Sequence, residues 1–191
     1  MDKEEFKSGS WFERMLENIL NTLGPDPGDI TVEGDPHKMI RKASRAAFLI
    51  STGAGIPSGP VGLATIIPEI AAVTKLQINL IFKVAKFHQQ EAKVNKTIIL
   101  AVLGAATGVV LKHALINKVG TRIIVKALSA EGAKRVTREI GEKFAVGLLK
   151  RGIGRWIPLV LAPVFGYLSL SMTRKVGREA ELLFSHELEV D

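Results

Sequence analysis

The longest uncharged stretch of the sequence runs from Ala46 to Pro68. That is enough for the roughly 20 apolar residues a membrane-spanning helix needs. Its middle, Gly53-Ala54-Gly55-Ile56-Pro57-Ser58-Gly59-Pro60, forbids that use. Proline removes a backbone donor and glycine leaves the chain loose. Irregular backbone facing lipid would leave polar groups unsatisfied. The stretch therefore predicts a helix, a tight corner and a second helix. Two other uncharged runs are Thr97–Leu111 and Trp156–Thr173, the second carrying Pro158 and Pro163. Each predicts a buried helix or a shallow insertion rather than a span.

Helical periodicity recurs along the chain. Residues 1–9 read as disordered. Ser10 can cap a helix over Trp11–Leu23, whose Trp11, Phe12, Met15, Leu16, Ile19, Leu20 and Leu23 share one face. Gly24-Pro25-Asp26-Pro27-Gly28-Asp29 is a linker of helix breakers. Asp35-Pro36 then joins a capping carboxylate to a proline suited to the first helical position, opening a helix to about Thr52. Further helices are predicted over Val61–Gln90, Asn95–Asn117, Thr121–Leu128, Glu131–Lys150, Ile157–Met172 and Arg178–Glu187. Thr121-Arg122-Ile123-Ile124-Val125 is the only β-branched run. The expected fold is all-α: a compact bundle of six to eight helices containing apolar helical hairpins. Residues 10–34 form its amphipathic helix and linker, and residues 35–191 its helical domain.

Charge is unevenly spread. Residues 1–35 carry a net charge of −6, residues 36–173 of +15 and residues 174–191 of −2, giving the +7 of the whole chain. A basic body of this kind attracts anionic lipid headgroups or nucleic acid, unless the acidic ends fold back and shield it. Basic residues recur at Lys134, Arg135, Arg138 and Lys143, but aromatic residues are 6% and are not interleaved with them. Stacking platforms for bases are therefore poor, and nucleic acid is not an expected partner. The acidic start Met1-Asp2-Lys3-Glu4-Glu5 has no apolar run, so neither a secretory signal nor a transit peptide is expected.

Catalytic patterns are missing. There is no cysteine, which excludes disulfides, thiolate metal sites and thiol nucleophiles. No two of His37, His88, His113 and His186 stand three or four residues apart, so no helical metal pair is expected. The glycines at Gly53, Gly55 and Gly59 lack the lysine and the preceding strand of a phosphate loop. We expect no enzyme activity, no cofactor and no metal. Glu69 is the one acidic residue between Asp35 and Glu91 and lies in apolar surroundings. Such a carboxylate needs a partner. Its place after Pro68 predicts either a helix first turn, where free N–H groups favour an anion, or a salt bridge to another helix. Glu69 and Gln77 are read as buried structural polar residues.

Two stretches carry a resemblance. The first is Ala46–Phe87, with the glycine–proline corner, Pro68-Glu69 and Leu76-Gln77-Ile78-Asn79-Leu80-Ile81. The second is Ile157-Pro158-Leu159-Val160-Leu161-Ala162-Pro163-Val164-Phe165-Gly166, followed by Arg174, Glu179-Ala180 and Phe184. Together they resemble the EcsC family of small bacterial proteins, and are similar to the helical domain behind GTP-binding domains of some inner-membrane proteins. The resemblance spans about residues 36–186. It implies a helical, membrane-associated protein and brings no catalytic residues. The family has aspartate where Glu69 stands.

The expectation is thus a non-enzymatic, EcsC-like helical protein on the cytoplasmic side of the inner membrane. It would bind anionic lipids and also a protein partner or a second copy of itself. Candidate membrane- or partner-binding residues are Trp11, Phe12, Lys38, Arg41, Lys42, Arg45, Lys150, Arg151, Arg155 and Trp156, with Arg174 and Lys175 beside them. The alternative is a soluble helical interaction protein, with a lipid-acting enzyme a weaker third reading.

Overall fold

The computed structural model describes residues 10–22, 30–53, 60–109, 116–119, 121–149 and 158–190. Among them are six α-helices: α1 (Ser10–Thr22), α2 (Pro36–Gly53), α3 (Pro60–Phe87), α4 (Lys96–Thr107), α5 (Ala130–Leu149) and α6 (Pro158–Phe184). Three short strands, β1 (Ile116–Val119), β2 (Arg122–Val125) and β3 (Glu187–Val190), form one small sheet. The fold is essentially all-α, as the periodicity predicts.

Local chemistry fixes the helix ends. The Asp35 carboxylate accepts from the Lys38 N–H at 2.7 Å, so the Asp35-Pro36 pair opens α2 as read. Asn95 caps α4 through the Ile98 N–H at 3.0 Å, and Ser129 caps α5 through the Gly132 N–H at 3.1 Å. Helix α4 ends on Gly108 at φ 72°, with Val109 N–H bonded to the Gly104 carbonyl and Gly108 N–H to that of Ala105. This left-handed turn satisfies carbonyls that the helix leaves open. At the far end of α3, the Gln90 side chain donates to the carbonyls of Phe184 and His186 and accepts from the Leu188 N–H. It thereby ties the end of α6 and the start of β3 to α3.

Helix α4 is the centre of the core. Ile98, Ile99, Leu100, Ala101, Val102 and Leu103 are all buried, between α5 and α6, which both pack on it. Its lack of charge reflects burial all round, and shallow insertion of this helix into lipid is excluded by its own neighbours. Gly104 is buried here too, so the small-residue stripe that would permit pairing between copies faces the protein interior.

Helices α2 and α6 pack closely and antiparallel. A Cβ on Gly177 would stand 2.5 Å from Ile40 Cγ1, and one on Gly166 2.5 Å from Thr52 Cγ2 and 2.9 Å from the Phe48 ring. Only glycine lets the two backbones approach this far. Helix α1 lies on α5 and α3. Phe12 stacks on Phe144 at 5.4 Å and meets Trp11 edge-on at 5.6 Å.

Four readings of the sequence are corrected. The helix read over Asn95–Asn117 ends at Thr107 on the left-handed Gly108, and Asn117 lies in β1. The run 121–125 is a strand, not the start of a helix. β2 pairs antiparallel with β1 and parallel with β3, Ile123 standing opposite Leu188. Ile123, Val125 and Leu188 face the core, so the alternation of a half-buried strand wins over helix propensity. The segments 157–172 and 178–187 belong to one helix, α6, continuous through Pro163, and the chain after Phe184 turns into β3. Trp11 and Phe12, read as interface candidates, are core residues with 3% and 1% exposure. The disordered reading of residues 1–9, the linker at 24–29 and the corner at 54–59 lie outside the described residues.

Candidate functional site

Two surfaces are built by this packing. The first is the outer side of the α2–α6 pair. Lys38, Arg41, Lys42 and Arg45 are all exposed. Their spacing of three and four residues puts them on one helical face. Leu49, one turn further on, is 68% exposed. Helix α2 contains no acidic residue. Lys42 is held by Glu33 at 2.6 Å, and this contact with Lys42 draws the Glu33 carboxyl below the ordinary carboxylate range. The antiparallel pairing sets Arg41 level with Arg174 and Arg178 of α6, both exposed. It sets Leu49 level with Val164 and Tyr167, the latter 65% exposed. A cationic band therefore grades into an apolar end.

The second is a groove of about 1190 Å³ between α5 on one side and α3 with α6 on the other. Ile70 and Val73 of α3, Phe165, Leu168 and Met172 of α6, and Phe144 of α5 supply its apolar lining. Glu69 stands in its wall, half-buried. Pro68 lies inside α3 rather than before it, so Glu69 occupies no first turn, and among the described residues it has no ion pair. Its partner is the Ser51 hydroxyl, which also shares a 2.6 Å hydrogen bond with Ser169. Burial raises the Glu69 pKa, and the Ser51 hydrogen bond opposes this only in part. One turn beyond Val73, buried Gln77 donates to Thr173 Oγ1 at 3.2 Å. Gln77 is thus a satisfied core amide joining α3 to α6, as its residue type predicts.

Comparison of the chain with protein families, with curated proteins and with solved structures finds no match.

Of the sequence-predicted residues, Lys38, Arg41, Lys42 and Arg45 come together on one surface. Arg174 and Lys175 are exposed on α6. Trp11 and Phe12 do not join them. Lys150, Arg151, Arg155 and Trp156 lie outside the described residues. The basic series of α5 is partly engaged within the chain: Arg138 pairs with Glu13 at 3.6 Å, and Lys143 donates to the Thr107 carbonyl at 2.9 Å, where a cation suits a helix C-terminus. Ser51, Ser169 and Thr173 escaped the sequence reading. The hydroxyl-bearing residues at helical spacing within uncharged runs were the only signal available. Among the described residues no three His, Asp or Glu side chains gather where a metal could be held. No helix of the described residues is long and apolar enough to cross a membrane.

Glu69 has a stability consequence. Its folded-state pKa lies above its unfolded value, so the folded state binds more protons over that interval. Stability then falls as pH rises from the ordinary carboxylate value of 4.5 through the folded pKa. Glu69→Gln is expected to raise the thermal midpoint at neutral pH and to reduce the difference between midpoints at acid and neutral pH. Thermal melts across that range check it, and a lower midpoint for the variant at neutral pH would count against it.

Proposed function

We propose that this chain is a non-enzymatic, EcsC-like helical protein that lies on the cytoplasmic face of the inner membrane, with the α2–α6 surface against anionic phospholipid headgroups. The observation that carries this reading is α2 itself. Its four outward cations run without an acidic neighbour on the helix into exposed Leu49, level with Tyr167 and Val164. Each lysine or arginine near an anionic leaflet contributes about 1 kcal/mol. Tyrosine and leucine suit the boundary between headgroup and acyl chain. Glu33 offers one competing contact, at exposed Lys42, and such surface pairs are weak.

Reversing Lys38, Arg41, Lys42 and Arg45 to glutamate is expected to weaken binding to phosphatidylglycerol-rich vesicles by about 100-fold or more. Binding to pure phosphatidylcholine vesicles should be weak for both proteins. Co-sedimentation measures this directly. Equal sedimentation of parent and variant, or equal binding to both lipids, would remove the reading. It would leave the soluble interaction protein in its place.

A further inference from the structure

We propose that the groove between α5 and the α3–α6 pair is a binding site for a single-chain zwitterionic phospholipid, of the lysophosphatidylethanolamine class. The groove is separate from the vesicle-facing surface: α2 contributes its outer cations to that surface and only Ser51 to this one. Its volume of about 1190 Å³ lies somewhat above the range of small-molecule sites, which run to about 1,000 Å³.

The lining selects the tail. Leu168 and Met172 of α6 run beside Ile70 and Val73 of α3, forming one apolar strip. From Phe165 to Met172 the strip covers about 10 Å of helix axis. Ile70, Leu168, Met172 and Phe144 stay half-buried, so this apolar surface is not consumed by the core. The polar atoms along the floor are already answered from within: Gln77 by Thr173, and Ser51 by Ser169 and Glu69. Among the described residues no buried side-chain polar atom lacks a partner. A ligand on this floor gains contact through hydrocarbon, and one strip takes one chain.

The rim selects the head. Two of its cations, Arg138 and Lys143, are engaged within the protein. Lys134, Arg135 and Lys175 have no ion pair among the described residues; of the three α5 glutamates on the rim, Glu139 is engaged elsewhere, while Glu131 and Glu142 stand among those cations. A head bearing only negative charge would meet the two glutamates, and one bearing only positive charge the three cations. A head with both a phosphate and an ammonium group meets an opposite charge for each.

The test is calorimetric titration of the full chain with lysophosphatidylethanolamine below its micelle-forming concentration. Saturable binding of one molecule per chain is expected. Lysophosphatidic acid, which lacks the ammonium, and a fatty acid of equal length should each bind about tenfold weaker. Glycerophosphoethanolamine, which lacks the tail, should not bind measurably. Leu168→Trp, filling the strip, should weaken binding at least about tenfold. The surface variant E131K/E142K, which leaves the core untouched, should reverse the preference in favour of lysophosphatidic acid. R41E/R45E on α2 should bind the lysolipid unchanged while losing vesicle binding, so failure of the groove and failure of the membrane face give different results. No saturable binding, equal affinity for all the tailed ligands, or an unaltered preference in E131K/E142K would overturn the proposal.

Discussion

Replacing Phe12 by alanine is expected to destabilise the protein by about 3–5 kcal/mol, the loss typical of truncating a buried phenylalanine. Phe12 is 1% exposed and touches two other rings, Trp11 at 5.6 Å and Phe144 at 5.4 Å. Phe144 belongs to α5, so the stack ties α1 to the bundle, beside buried Leu16 and Ile19 of the same helix. Two ion pairs lie beside the stack: Glu13 meets Arg138 at 3.6 Å, and Glu17 meets Lys96 at 3.7 Å, the second weak because both its side chains are near half exposure. Urea denaturation gives the loss directly. Phe12→Leu should cost less, since the cavity it leaves is smaller. A loss below about 1 kcal/mol for Phe12→Ala would mean that α1 is not docked. It would return Trp11 and Phe12 to the outer-surface role that their sequence also allows.

That ambiguity shows where a sequence of this kind can be read and where it cannot. An amphipathic stripe says that one face of α1 is covered, but not by what. The acidic residues beside the stripe turn out to be aimed at cations of the same chain, Arg138 and Lys96. The start of α2 was legible because Asp35-Pro36 satisfies its requirements locally. The sheet was not legible, because its strands are four residues long and β2 finds its second partner more than sixty positions later. Long-range pairing leaves no local periodicity. The cationic face of α2 was readable from spacing alone. The groove was not. Its apolar half comes from α3 and α6 and its charged half from α5, where a mixed-charge helix reads as a solvated surface. Glu69 stood out as an isolated carboxylate, but its partner, Ser51, lies on a different helix and could be found only in three dimensions.

Valine at both Gly166 and Gly177 is expected to cost about 4 kcal/mol, from overpacking of about 1–3 kcal/mol at each. The positions are eleven residues apart, three helical turns on one face of α6 and about 16 Å along its axis. They are distant enough for their effects to add. At Gly177 the obstruction is the Ile40 side chain, and at Gly166 it is Thr52 and the Phe48 ring. An aromatic ring in a packed interface has little room to give, so Gly166→Val should be the more damaging of the two. Its effect also reaches function. Spreading α2 from α6 at that level separates Ser51 from Ser169, now 2.6 Å apart, and with it disturbs the hydroxyl that serves Glu69. It also shifts Leu49 relative to Tyr167 at the apolar end of the α2–α6 surface. Gly166→Val is therefore expected to weaken both vesicle binding and lysolipid binding at temperatures where the protein is still folded, whereas Gly177→Val lowers stability and leaves the groove floor in place. Chemical denaturation together with the two binding assays separates these outcomes. Unchanged stability in both variants would mean that the close approach of α2 and α6, on which both surfaces depend, is not what holds them together.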